Sequence, residues 1–110
     1  MPATALDLLE ALRAALDDLE PRLAGHAVDI EMPRVRVLAD PALFRREFMQ
    51  LVESVMEDAK PGDSITVHVA RTGKATRIEV ATEHAGARAD GTLRSMMVPL
   101  APGTASAADA

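Results

Sequence analysis

The dipeptide Asp40-Pro41 constrains this chain more than any other pair of residues in it. Aspartate is a favoured helix N-cap because its carboxylate accepts hydrogen bonds from the free N–H groups of the first turn. Proline suits the first helical position, since it lacks an N–H that would go unsatisfied there and its φ is already helical. Together they predict a helix opening at Pro41. Phe44, Phe48, Leu51, Val52 and Val55 follow at helical spacing and define one apolar face. The helix is expected to run to about Ala59, where Lys60-Pro61-Gly62-Asp63 ends it. A helix with one apolar face must bury that face against another layer.

The rest of the chain supplies such a layer. Ile65, Val67 and Val69 alternate with polar residues, Thr72-Gly73-Lys74-Ala75 reads as a turn, and Arg77 to Thr82 reads as the returning strand with Ile78 and Val80 inward. Val28 to Met32 is a further strand by the same alternation. Pro33 interrupts it, and Val35 and Val37 briefly resume the pattern. Leu93 to Leu100 is a last strand with Met96, Val98 and Leu100 on one face. At the other end, Leu9, Leu12, Leu16, Leu19 and Leu23 form a stripe that predicts a helix from Thr4 to Leu23, with Pro21 and Gly25 near its close. The expected order is α-β-α-β-β-β. The expected fold is α+β, a two-layer sandwich with both helices on one face of a mostly antiparallel sheet. With 110 residues there is room for one domain, over 1–100, and the small, polar stretch 101–110 reads as a disordered tail.

Composition narrows the function. The chain has no cysteine, which excludes disulfides, thiolate metal sites and thiol nucleophiles, and fits a cytoplasmic location. A net charge of −5 and only two aromatic residues, both Phe, argue against a nucleic-acid partner, which calls for basic surface and stacking platforms. No apolar run is long enough to span a membrane, and Met1 to Glu10 does not read as a secretory signal. His26, in a loop, and His68, on a strand, read as plain surface histidines, while His84 draws more interest by its position. Glu53, Glu57 and Asp58 read as a solvated acidic helix face, without partners at metal-ligand spacing. Adjacent on a strand, Met96 and Met97 should point to opposite faces, leaving one exposed.

Over Leu6 to Val80 the chain resembles the ATP-binding domain of bacterial sensor histidine kinases, a member of the GHKL ATPases with the Bergerat fold. The resemblance rests on the leucine-rich first helix, on Val35-Arg36-Val37-Leu38-Ala39-Asp40-Pro41 before the long helix, and on Lys60-Pro61-Gly62-Asp63 leading into Ile65-Thr66-Val67-His68-Val69. The close, Val98-Pro99-Leu100, is similar to that family's terminal strand.

Carried over residue by residue, the family's magnesium-binding helix motif falls on Gln50 and Ser54 where it has asparagines, and on Glu57 where it has a phosphate-facing basic residue. The adenine-binding aspartate falls on Thr82, or on Glu83 if the match slips by one, and the second glycine of that motif on Gly86. His84 to Gly91 reads as a loop of small residues, and the family's lid, phosphate loop, third helix and a further strand have no counterpart where only Ala85 to Gly91 separates the hairpin from Leu93. The resemblance therefore implies a shortened relative with a degenerate site: no catalysis, no cofactor, no metal, and a regulatory role in two-component signalling. The partner it implies is a protein, a histidine kinase or a response regulator. Loss of the third helix also predicts exposed apolar surface near Leu93 to Leu100, for a homodimer or another docking protein. The alternative is a residual ADP or ATP sensor without phosphotransfer.

Overall fold

A computed structural model describes residues 3–83 and 92–101. The order is β1 (Thr4–Asp7), α1 (Leu8–Asp18), α2 (Glu20–Leu23), β2 (Val28–Glu31), β3 (Arg36–Ala39), α3 (Pro41–Met56), β4 (Ser64–Thr72), β5 (Ala75–Glu83) and β6 (Leu93–Pro99). Asp40 caps α3 as its chemistry predicts, its Oδ1 accepting from the Ala42 N–H at 3.0 Å. The helix stops at Met56, slightly before the predicted end.

The first predicted helix is corrected in two places. Thr4 to Asp7 is not helical but pairs antiparallel with Arg36 to Ala39. Asp7 then caps α1, with Oδ1 accepting from the Glu10 N–H at 3.3 Å. A second break falls after Asp18, because Pro21 has no N–H to donate back along the helix and instead fits the opening turn of α2. The buried stripe also differs from the expected one: Leu8, Leu12, Ala15, Leu19 and Leu23 are buried, while Leu9 and Leu16 are only partly so.

The main sheet has the order β2-β4-β5-β6, with β2 parallel to β4 and the other pairs antiparallel. Gly73, at φ 64°, opens the two-residue turn between β4 and β5, a conformation that side chains other than glycine rarely adopt. Helices α1 and α3 cover one face of the sheet. Ile65, Val67, Val69, Ile78, Val80 and Val98 meet Phe44, Phe48, Val52, Val55, Leu8 and Leu12 in one core. The Phe44 and Phe48 rings stack with centroids 6.1 Å apart. Fully burying side chains of this kind contributes roughly 1.5–3 kcal/mol each before entropy is set against it. The architecture is the expected α+β two-layer sandwich.

The small β1-β3 sheet joins the large one through the end of β6. Val37 bridges Leu100, and the Ala101 N–H donates to the Arg36 carbonyl at 2.9 Å. Ala101 is itself buried, so the packed part of the chain runs one residue past the expected boundary at 100. The predicted tail beyond it, and the predicted loop at 84–91, lie outside the described residues. Among the described residues no helix is long and apolar enough to cross a membrane.

Candidate functional site

Gln50, Ser54 and Glu57 stand four and three positions apart and share a side of α3, turned away from the buried stripe of Phe44, Phe48, Val52 and Val55. Gln50 and Glu57 are exposed, and Ser54 is half-buried. Strand β5 ends near the C-terminal end of this helix. Thr82 is buried on the helix-covered face, whereas Glu83 is exposed and, by strand alternation, lies on the opposite face. The structure thus brings Thr82 toward the helix side. Reading the match with a one-residue slip would send the Glu83 carboxylate away from α3. Gly86 and His84 lie outside the described residues.

The space between the helix end and β5 is spanned by a residue that the sequence reading did not single out. The Thr92 hydroxyl donates to Asp58 Oδ2 at 2.9 Å. Its backbone N–H donates to Thr82 Oγ1 at 3.0 Å, and its carbonyl accepts from the Thr82 N–H at 3.0 Å. One threonine therefore ties the turn after α3 to the end of β5. Thr82, itself buried, is held within the fold by the hydrogen bond that its hydroxyl oxygen accepts. The only signal in the sequence was a threonine on either side of the connection, at positions that pair just beyond the register Ala81–Leu93.

The C-terminal end of α3 is rich in acids, with Lys60 and Arg94 as the basic residues nearby. The C-terminal end of a helix carries partial negative charge from its free carbonyls, and α3 has no basic residue in its last turn. Glu57 and Asp58 follow immediately. Glu53, one turn earlier, pairs with Arg22. The three acids do not converge, and among the described residues no group of side chains suited to a metal ion is found.

The other singled-out residues are structural. His26 Nδ1 lies 2.7 Å from the Asp63 carbonyl oxygen. A carbonyl can only accept, so Nδ1 is the donor. Asp63 is buried, and its Oδ2 accepts from the Lys60 N–H at 2.7 Å, closing the turn that Lys60-Pro61-Gly62 begins. His68 is exposed beside Glu31, 3.7 Å away. Arg45 pairs with Asp18, linking α3 to α1 at the surface. Two cavities, of about 590 and 490 Å³, lie elsewhere: one between α1, α2 and the start of β2, the other between β1, α1 and the start of α3. Neither is lined by Gln50, Ser54, Glu57, Thr82 or Glu83.

No protein-family model matches the chain, and no curated protein matches it by sequence. Solved structures do match. The catalytic domain of the histidine kinase ThkA superposes with a TM-score of 0.68 at 20% identity, over 74% of this chain and 59% of that one. The mycobacterial sensor histidine kinase MprB gives 0.67 at 12% identity, over 73% and 54%. The Acinetobacter baumannii histidine kinase AdeS gives 0.66 at 13% identity, over 82% and 46%. The fold is that of the histidine-kinase catalytic domain, and the chain spans less than two thirds of each of these structures.

Proposed function

We propose that the chain is a non-catalytic protein-interaction module of two-component signalling, a histidine-kinase-like domain without a working ATP site. The Thr92 bridge carries this reading. A nucleotide in the place implied by the fold would have to displace hydrogen bonds from both Thr82 and Asp58, and its phosphates would meet Glu57 where attraction is required. Ser54 adds only a short hydroxyl, a poorer reach toward magnesium than an amide carbonyl.

The partner class follows from the same likeness. ThkA has been solved in complex with the response regulator TrrA, and a response regulator or a kinase is the corresponding partner proposed for this chain, in the cytoplasm. The test is a titration of isotope-labelled protein with Mg-ATP and with ADP, read by backbone amide NMR shifts. No change at Ser54, Glu57, Thr82 and Thr92 is expected up to millimolar nucleotide. Localised, saturable shifts at those four residues would overturn the proposal in favour of nucleotide sensing.

A further inference from the structure

The hydrogen-bond phase of β6 can be read from its two ends. Thr92 bonds Thr82, and the Leu100 N–H donates to the Lys74 carbonyl at 3.0 Å. In an antiparallel ladder the bonded residues alternate, so the even-numbered residues of β6 bond β5 and the odd-numbered ones point away from it. The bond from Ala101 to Arg36, on the side away from β5, has the same phase. Leu93, Ser95 and Met97 consequently direct their N–H and C=O groups outward at the edge of the sheet. Among the described residues nothing pairs with them. The same three residues place their side chains on the face opposite the helices, where Leu93 is 57% and Met97 53% exposed. The expected apolar surface near the shortened end therefore exists, but on the outer face and edge of β6. The inner face there is not bare, because Arg94 occupies it and Met96 is partly buried against the core.

We infer that this edge pairs with the β6 edge of a second copy, antiparallel, about a two-fold axis through Ser95. The sequence of the strand is what selects a second copy as the occupant. Leu93 and Met97 lie two residues to either side of Ser95, so antiparallel pairing at Ser95 sets each Leu93 opposite the other copy's Met97. A two-fold interface requires this kind of self-complementarity, and exposed apolar residues opposed across strands stabilise the pair. In that register the outward N–H and C=O groups of Leu93, Ser95 and Met97 all find partners. Pro99 has no N–H to continue the ladder, and β3 covers the edge beyond it at Leu100. The seam thus has a built-in end. Arg77 and Glu79, beside Met97 and Ser95 on β5, lie 3.8 Å apart as an ion pair and present no uncompensated charge to the seam. On the inner face Arg94 comes opposite the other copy's Met96, whose thioether can lie along its aliphatic stem while the guanidinium stays in water. A contact of one strand per copy is small, so the dimer belongs to the weak, transient class.

The test uses the whole chain. It has no native cysteine, so Ser95→Cys installs a single thiol beside the proposed axis. Mild oxidation should give a covalent dimer from S95C and none from Glu47→Cys, a control on the exposed side of α3. By sedimentation equilibrium, the unmodified chain should associate, and Met97→Lys and Ser95→Pro should each weaken association about tenfold or more. Both positions face away from β5, so circular dichroism should remain unchanged. Three results would each overturn the inference: a monomer at several hundred micromolar, a dimer indifferent to both substitutions, or equal cross-linking from E47C. Nucleotide enters none of these measurements, so they stand apart from the test of the ATP site.

Discussion

The two sides of α3 make an instructive contrast. The inward side is furnished with Phe44, Phe48, Val52 and Val55, all buried, and the sheet opposite answers with Ile65, Val67, Ile78 and Val80. The outward side carries Gln50, Ser54 and Glu57, and what lies near its end is a threonine hydrogen-bonded to Asp58 and Thr82. Scaffold and site are therefore separable in this fold. The first depends on volume and hydrophobicity, which many residues satisfy. The second depends on particular donors, acceptors and charges, and can be lost while the scaffold remains whole.

The sharpest way to break this contrast is on the inward side. Phe48→Ala removes the largest fully buried side chain and should destabilise the protein by about 3–5 kcal/mol in denaturant titrations. A loss below about 1 kcal/mol would mean that the core is looser than the buried surfaces indicate. Thr82→Val should come next, at about 1–2 kcal/mol, because it leaves the Thr92 N–H without its acceptor. Asp40→Ala should remove about 1 kcal/mol by uncapping α3. The smallest effect is the most informative. Restoring family-like chemistry on the outward side with the pair Ser54→Asn and Glu57→Lys should change stability by less than about 0.5 kcal/mol. It should also fail to create ATP binding by calorimetry as long as Thr92 spans the gap. Binding gained by that pair alone would overturn the proposal that the Thr92 bridge keeps nucleotide out.

Legibility followed the same division. Elements with strong local chemistry could be read directly: the Asp40-Pro41 helix start, the Gly73 turn, and the alternation that sends Ile65 and Val67 to one face. Thr4 to Asp7 could not, since nothing in Thr-Ala-Leu-Asp distinguishes a strand from a first helical turn until β3 is beside it to pair with. Helical periodicity likewise identified Leu12, Leu19 and Leu23 but not Leu8 and Ala15, because Leu8-Leu12-Ala15-Leu19 and Leu9-Leu12-Leu16-Leu19 both have helical spacing and only packing chooses between them. The candidate positions on α3 and β5 were legible one by one. The residue that connects them was not, because Thr92 acts through its backbone and a short hydroxyl at a meeting point that only the register of β5 and β6 creates. Glu83 shows the reverse case: adjacent to Thr82 in sequence, it belongs to the other face of the sheet.

The union of the two sheets at Val37 and Leu100 has a consequence in time. β3 is held on one side by β1, which precedes it in the chain with α1, α2 and β2 between, and on the other by Leu100 and Ala101, near the far end of the described fold. On a ribosome β3 can pair with β1 early, while its second flank must wait until almost the whole domain has emerged. Contacts between distant parts of a chain are slow to close because of the loop entropy they must overcome. Joining of the two sheets at β3 is thus expected to be a late event in folding, and a nascent chain halted before Leu100 would hold β3 by one edge only.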